Sequence, residues 1–170
     1  MTSHSAFAYR EPAALSALLG LDWRLRGVLT DAELGAALAE APAAPTLRQL
    51  QRLGLVKAEH GVRPQGGRMR LWSLEAALRM EIALSLAALT GVSLTRAARA
   101  VSDRLETVDR IASEVVETGC CETAASDVRE GDLTRALDED EALERFARNA
   151  VCDFLSRNRF KDAARPAFLL

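Results

Sequence analysis

Six basic side chains are concentrated between Ala44 and Trp72, a stretch with a single acidic residue, Glu59. They are Arg48, Arg52, Lys57, Arg63, Arg68 and Arg70. Arginine and lysine donate charge-assisted hydrogen bonds to phosphate oxygens, and arginine also recognises the edges of bases. Arg48 and Arg52 are spaced to lie one turn apart on the same face of a helix. The segment therefore predicts a surface for a polyanion such as a nucleic acid.

The charge of the chain is divided unevenly between its two parts. Residues 1–100 contain 12 basic and 8 acidic side chains, whereas residues 101–170 contain 10 and 16. A phosphate backbone attracts the first part and repels the second. The composition, 49% apolar and 5% aromatic, predicts a folded chain that is rich in helix.

The elements around the basic segment follow from capping and turn residues. Thr30 is a good N-cap for a helix from Asp31 to Glu40, and a turn at residues 41–44 leads to a second helix that begins at Pro45 and stops at Gly54. The alternation of Arg68 to Trp72 predicts the second strand of a β-hairpin, with Gly66 and Gly67 at its tip.

The order and the residues of these segments resemble those of the MerR family of DNA-binding regulators. Thr46-Leu47-Arg48, Gly54-Leu55-Val56, Arg70-Leu71-Trp72-Ser73 and Gly91-Val92-Ser93-Leu94 stand where that family has its recurrent motifs. Gln49, Leu50 and Gln51 replace the two tyrosines and the glutamate that follow the first motif in the family. The resemblance implies a winged helix-turn-helix that binds double-stranded DNA as a homodimer and regulates transcription at promoters.

The resemblance and the basic cluster together predict the residues that contact DNA. The second helix would enter the major groove, and the hairpin, or wing, would lie on the adjacent backbone or minor groove. The expected contacts are Thr46, Arg48, Gln49, Gln51, Arg52, Lys57, Arg63, Arg68 and Arg70.

A heptad-like seam follows the basic part of the chain. Ser93 is expected to cap a helix that continues past Val101, and apolar residues recur along it at intervals of four, three, four and three. They are Val101, Leu105, Val108, Ala112 and Val115. Because the resembling family pairs through a helix in this place, the seam predicts a dimerisation helix at residues 102–118.

The region from 119 to 170 is expected to be helical and to act in regulation or protein contact. A helix from Asp140 to Asn158 carries a broad apolar stripe that includes Leu143, Phe146, Val151, Phe154 and Leu155. Two interpretations stay open. The stripe covers the core of the same chain or extends the dimer, or else it contacts a partner such as RNA polymerase.

The sequence predicts neither an enzyme nor a cofactor. It contains no phosphate-binding glycine loop, no Ser/His/Asp set and no Cys/His pair. A thiol metal site at Cys120, Cys121 and Cys152 is disfavoured, because adjacent cysteines do not easily both bind one tetrahedral ion and the two histidines lie in the other part of the chain.

The sequence thus predicts a mainly α protein with a MerR-like winged helix-turn-helix at residues 29–101 and an N-terminal extension at residues 1–28. No apolar run approaches the roughly 20 residues that span a bilayer, so the expected location is the cytoplasm, on the nucleoid. Two other functions stay open, namely an architectural or excisionase-like recombination factor and a protein-interaction module that docks RNA polymerase.

Overall fold

The computed structural model describes residues 22–63, 66–119 and 130–160. These residues form eight helices and a three-stranded antiparallel sheet, which confirms the predicted mainly α fold. In chain order the elements are α1 Trp23–Arg26, β1 Val28–Thr30, α2 Asp31–Ala37, α3 Ala44–Arg52, β2 Glu59–Val62, β3 Arg68–Ser73, α4 Leu74–Thr90, α5 Leu94–Ser102, α6 Leu105–Thr118, α7 Glu130–Arg135 and α8 Asp140–Arg157.

The predicted helix starts are confirmed by their capping hydrogen bonds. The Thr30 hydroxyl accepts from the Glu33 N–H, and the Glu33 carboxylate accepts from the Thr30 N–H, so the two residues form a capping box. The Ser93 hydroxyl accepts from the Arg96 N–H at the start of α5, and the Ser73 hydroxyl accepts from the Ala76 N–H at the start of α4. Helix α2 ends at Ala37 instead of at the predicted Glu40, because the backbone of Leu38 is already extended.

The predicted hairpin is confirmed, and it belongs to a larger sheet. Strand β3 pairs with β2 on one side and with β1 on the other, so the strand order is β1-β3-β2. Leu29 lies opposite Trp72 in this register, and both side chains are fully buried. The sequence did not indicate β1, because three residues are too few to show an alternating pattern.

The long helix expected after Ser93 is two helices. Helix α5 ends at Ser102, and α6 begins at Leu105. Arg104 leaves the helical conformation, and its guanidinium group pairs with Asp140 at 2.8 Å and donates to the carbonyl of Ala136. The break therefore follows from contacts with the C-terminal part of the chain, which the periodicity of the seam could not indicate.

One hydrophobic core joins the two parts of the chain. Helix α8 packs along α6 and α4, and its buried side chains belong to the same cluster as Leu34 of α2, Leu50 of α3 and Trp72 of β3. The ring of Phe154 is fully buried, 6.3 Å from the ring of Trp23. Of the two interpretations of the apolar stripe, the structure shows that it covers the core of its own chain.

The seam that predicted a dimer faces this core. Val101, Val108, Ala112 and Val115 are buried, and Leu105 is half-buried. Their spacing reflects the packing of α6 against α8 of the same chain, which produces the same periodicity as a coiled coil. Pairing of two copies through these residues would require that internal packing to open.

The structure describes only part of the predicted N-terminal extension. Residues 1–21 lie outside the described residues, but Trp23, Val28 and the turn at Gly27 belong to the folded body. Among the described helices, none is long and apolar enough to cross a membrane.

Candidate nucleic-acid interface

Helix α3 separates its apolar and basic side chains on opposite faces. Leu47 and Leu50 are buried in the core, whereas Arg48 and Arg52 are exposed one helical turn apart. Its N-cap, Ala43, has no side chain that could accept a hydrogen bond from the first N–H groups. The start of α3 therefore keeps the partial positive charge of a helix N-terminus, which adds to that of the arginines.

The hairpin presents a second group of basic side chains at its tip. Arg63 and Arg68 are exposed, and the Arg63 N–H donates to the carbonyl of Gly67 at 2.9 Å to close the turn. Gly66 and Gly67 have φ angles of 87° and 91°, which side chains other than glycine rarely adopt. Lys57 is exposed on the connection from α3.

The acid of the hairpin, Glu59, is half-buried. Burial raises the pKa of Glu59, and the nearby Lys57 opposes that shift.

The basic side chains of α3 and the hairpin tip differ from most other arginines in having no anionic partner. Those of Arg48, Arg52, Lys57, Arg63 and Arg68 form no ion pair or hydrogen bond within the described part of the chain. Arg145 and Arg159, at the other end of the sequence, are also exposed in this way. By contrast, ion pairs engage Arg24, Arg26, Arg70, Arg79, Arg104, Arg110, Arg135, Arg148 and Arg157.

Arg70, a predicted DNA contact, joins the hairpin to α2. Its guanidinium group donates to the carboxylate of Asp31 at 2.9 and 3.2 Å and lies 5.9 Å from the ring centre of Trp72. The same carboxylate accepts from the Trp72 indole N–H at 2.7 Å. Arg70 therefore has a partner among the described residues, unlike the other predicted cations, and its contact with DNA stays a prediction.

The three polar side chains predicted on α3 are less available than its arginines. The Gln49 amide donates to the hydroxyl of Thr95 at 2.6 Å, so it points toward α5. Thr46 and Gln51 are half-buried. Of the nine predicted contacts, the structure leaves the five cations as the exposed and unpaired group.

Two basic residues of α5 were missed by the sequence reasoning. Arg96 and Arg99 are exposed, and Arg99 lies one turn beyond Thr95, the residue that binds Gln49 of α3. The contact brings the first turn of α5 beside α3. The arginines of α5 therefore add to the basic surface formed by α3 and the hairpin tip. The signal was present in Thr95-Arg96-Ala97-Ala98-Arg99, directly after the Ser93 cap, but this helix had been interpreted only as a connection to the dimer seam.

Removal of the Asp31 carboxylate is expected to loosen the attachment of the hairpin to α2. In Asp31→Ala, the indole N–H of Trp72 loses its partner, which costs about 1–3 kcal/mol of stability for a buried donor. The ion pair with Arg70 adds little, because both side chains are partly exposed and solvent screens it. Urea denaturation measures the loss.

Two further variants complete this test. Trp72→Phe removes the same hydrogen bond and also leaves part of the buried indole volume empty, so it should lose more stability than Asp31→Ala, whereas Arg70→Ala should lose less than about 1 kcal/mol. Asp153→Ala is the control, because Asp153 is exposed on α8. Equal stability of Asp31→Ala and this control would contradict the proposed attachment.

Among the described residues, no cluster of His, Cys, Asp and Glu could hold a metal ion, and Cys152 is buried in α8; Cys120 and Cys121 lie outside them. No protein-family model, curated protein or solved structure matches the chain.

Proposed function

We propose that this protein binds duplex DNA in a sequence-specific manner and regulates transcription, with α2, α3 and the β2–β3 hairpin as a MerR-like winged helix-turn-helix. The observation that carries the proposal is the group of exposed, unpaired cations on α3 and at the hairpin tip. Because a chain that pairs so many other arginines leaves these without anions, an external polyanion is their best partner.

The arrangement of the elements fits a DNA groove. A helix enters the major groove side-on, and the exposed face of α3 carries Arg48 and Arg52 while its other face is held in the core. Arginine in this position forms bidentate hydrogen bonds with guanine or pairs with phosphate. The hairpin tip, with Arg63 and Arg68, would contact the backbone or the minor groove beside it.

Pairing of two copies on DNA is part of the proposal, because the resembling family binds its operators as dimers. The buried seam of α6 does not supply the interface, so another surface must do so. Sedimentation at micromolar concentration tests this part on its own. A monomeric protein would indicate that its DNA site is one half-site of about 10 base pairs or fewer, and not a pair of half-sites.

The proposed function is tested by the positions that the protein occupies in its own genome. Crosslinking and sequencing should give peaks at promoters, and the purified protein should bind those sequences with an affinity that falls steeply with salt. Peaks at recombination attachment sites would favour an architectural or excisionase-like factor. An absence of enriched positions, together with no binding to any duplex at low salt, would refute DNA binding.

A further inference from the structure

The end of α8 binds the last residue of α2, directly before the turn that leads to α3. The carbonyl of Ala37, the last residue of α2, accepts from the Asn158 amide at 3.0 Å and from the Arg157 guanidinium at 3.1 Å. Two residues later, the Ala39 N–H donates to the carboxylate of Glu81 at 3.2 Å. The turn is therefore held from both sides by residues far away in sequence.

Glu81 and Arg157 form the centre of this contact. Glu81 is only 3% exposed on α4, and its second carboxylate oxygen accepts from Arg157 at 2.9 Å. A buried carboxylate is costly without a charged partner, and Arg157 supplies it. The same guanidinium nitrogen reaches the Ala37 carbonyl, so Arg157 and Asn158 together satisfy this acceptor at the end of α2.

Asn158 joins two further groups at this point. Its side-chain amide also donates to the Phe154 carbonyl at 2.9 Å, and its own backbone carbonyl accepts from the Arg24 side chain of α1. The side chain is buried, with 8% of its surface exposed. This residue therefore connects the end of α8 with α1 and with the last residue of α2.

We propose that Arg157 and Asn158 are positioning residues that set the placement of α3 relative to α2, so that the C-terminal helix controls DNA affinity without touching DNA. The inference rests on the proposed DNA binding and adds a means of regulating it. A molecule or modification that displaced the end of α8 would release the turn between the two helices and weaken binding.

The experiment uses the full-length variants Arg157→Ala, Asn158→Ala and Arg157→Lys, with Arg145→Ala as the control. Arg145 is exposed on the same helix and has no ion pair or hydrogen bond through its side chain with any described residue. Each variant is examined by amide hydrogen exchange and by titration with the duplex that the parent protein binds, at several salt concentrations, under conditions where circular dichroism shows it folded.

The expected result links local opening to affinity. Exchange at Ala39 and in the last turn of α2 should be about tenfold faster in Arg157→Ala and Asn158→Ala, and DNA affinity should fall by a similar factor. The slope of log affinity against log salt should stay unchanged, since no phosphate contact is lost. Arg157→Lys should recover part of the affinity because the charge facing Glu81 is kept. Should Arg157→Ala be unfolded, Asn158→Ala gives the same comparison.

Four results would overturn the inference. Faster exchange at Ala39 with unchanged affinity would make the contact purely structural. A salt slope lower by about one unit in Arg157→Ala would make Arg157 a phosphate contact instead. If the parent binds no duplex, the proposed function fails and the coupling fails with it, whereas equal binding by parent and variants refutes the coupling alone.

Discussion

Replacement of Phe154 by alanine is expected to lower the free energy of unfolding by roughly 3–5 kcal/mol. The ring is fully buried where α8 meets α1, beside Trp23, and its loss leaves a cavity as well as removing apolar contact. Proteins of this size are stable by only about 5–15 kcal/mol, so the variant should be partly unfolded at physiological temperature. Urea denaturation followed by circular dichroism measures the change.

Arg145→Ala is the control for this prediction. It alters an exposed residue of the same helix and should change stability by no more than about 0.5 kcal/mol. The whole chain should lose structure in one transition, because the buried side chains of both parts form one cluster. Two separate transitions, with only the later residues affected by Phe154→Ala, would show that the C-terminal helices form an independent unit.

Local signals in the sequence predicted the helix caps and the hairpin among the described residues up to Ser93. Thr30 and Ser93 were expected as caps and form them, because a cap depends on residues within four positions. The hairpin was likewise predictable from Gly66, Gly67 and the alternation that follows. The buried and exposed faces of α3 also agree with the spacing of Leu47, Arg48 and Leu50.

Long-range contacts account for what the sequence did not reveal. An apolar stripe on a helix indicates that another surface covers it but does not identify that surface. The seam therefore predicted a second copy of the chain, whereas α8 of the same chain packs against α6. Arg70 was likewise assigned to DNA by its charge, whereas Asp31, which neutralises it, is 39 positions away. The contact of Arg157 with the turn after α2 spans 120 positions and has no local signature.

Simultaneous replacement of Arg48 and Arg52 by alanine is expected to abolish most DNA affinity while leaving the fold intact. Both side chains are exposed on α3 and make no ion pair or hydrogen bond with any described residue, so their removal should cost little stability. Each arginine contributes about 1–3 kcal/mol as a base contact or about one unit of salt dependence as a phosphate contact. Binding should therefore weaken on the order of 100-fold.

The matched control for this pair is Arg145→Ala with Arg159→Asn. It also removes two exposed, unpaired arginines and changes the net charge equally; asparagine is chosen because Arg159 has a φ of 52°, which asparagine tolerates. Fluorescence anisotropy with the parent's duplex, at several salt concentrations, measures both pairs. If net charge alone drove binding, the two double variants would weaken equally. A large loss in the α3 pair with near-parental binding in the control places the DNA on α3, and the reverse result would remove this helix from the interface.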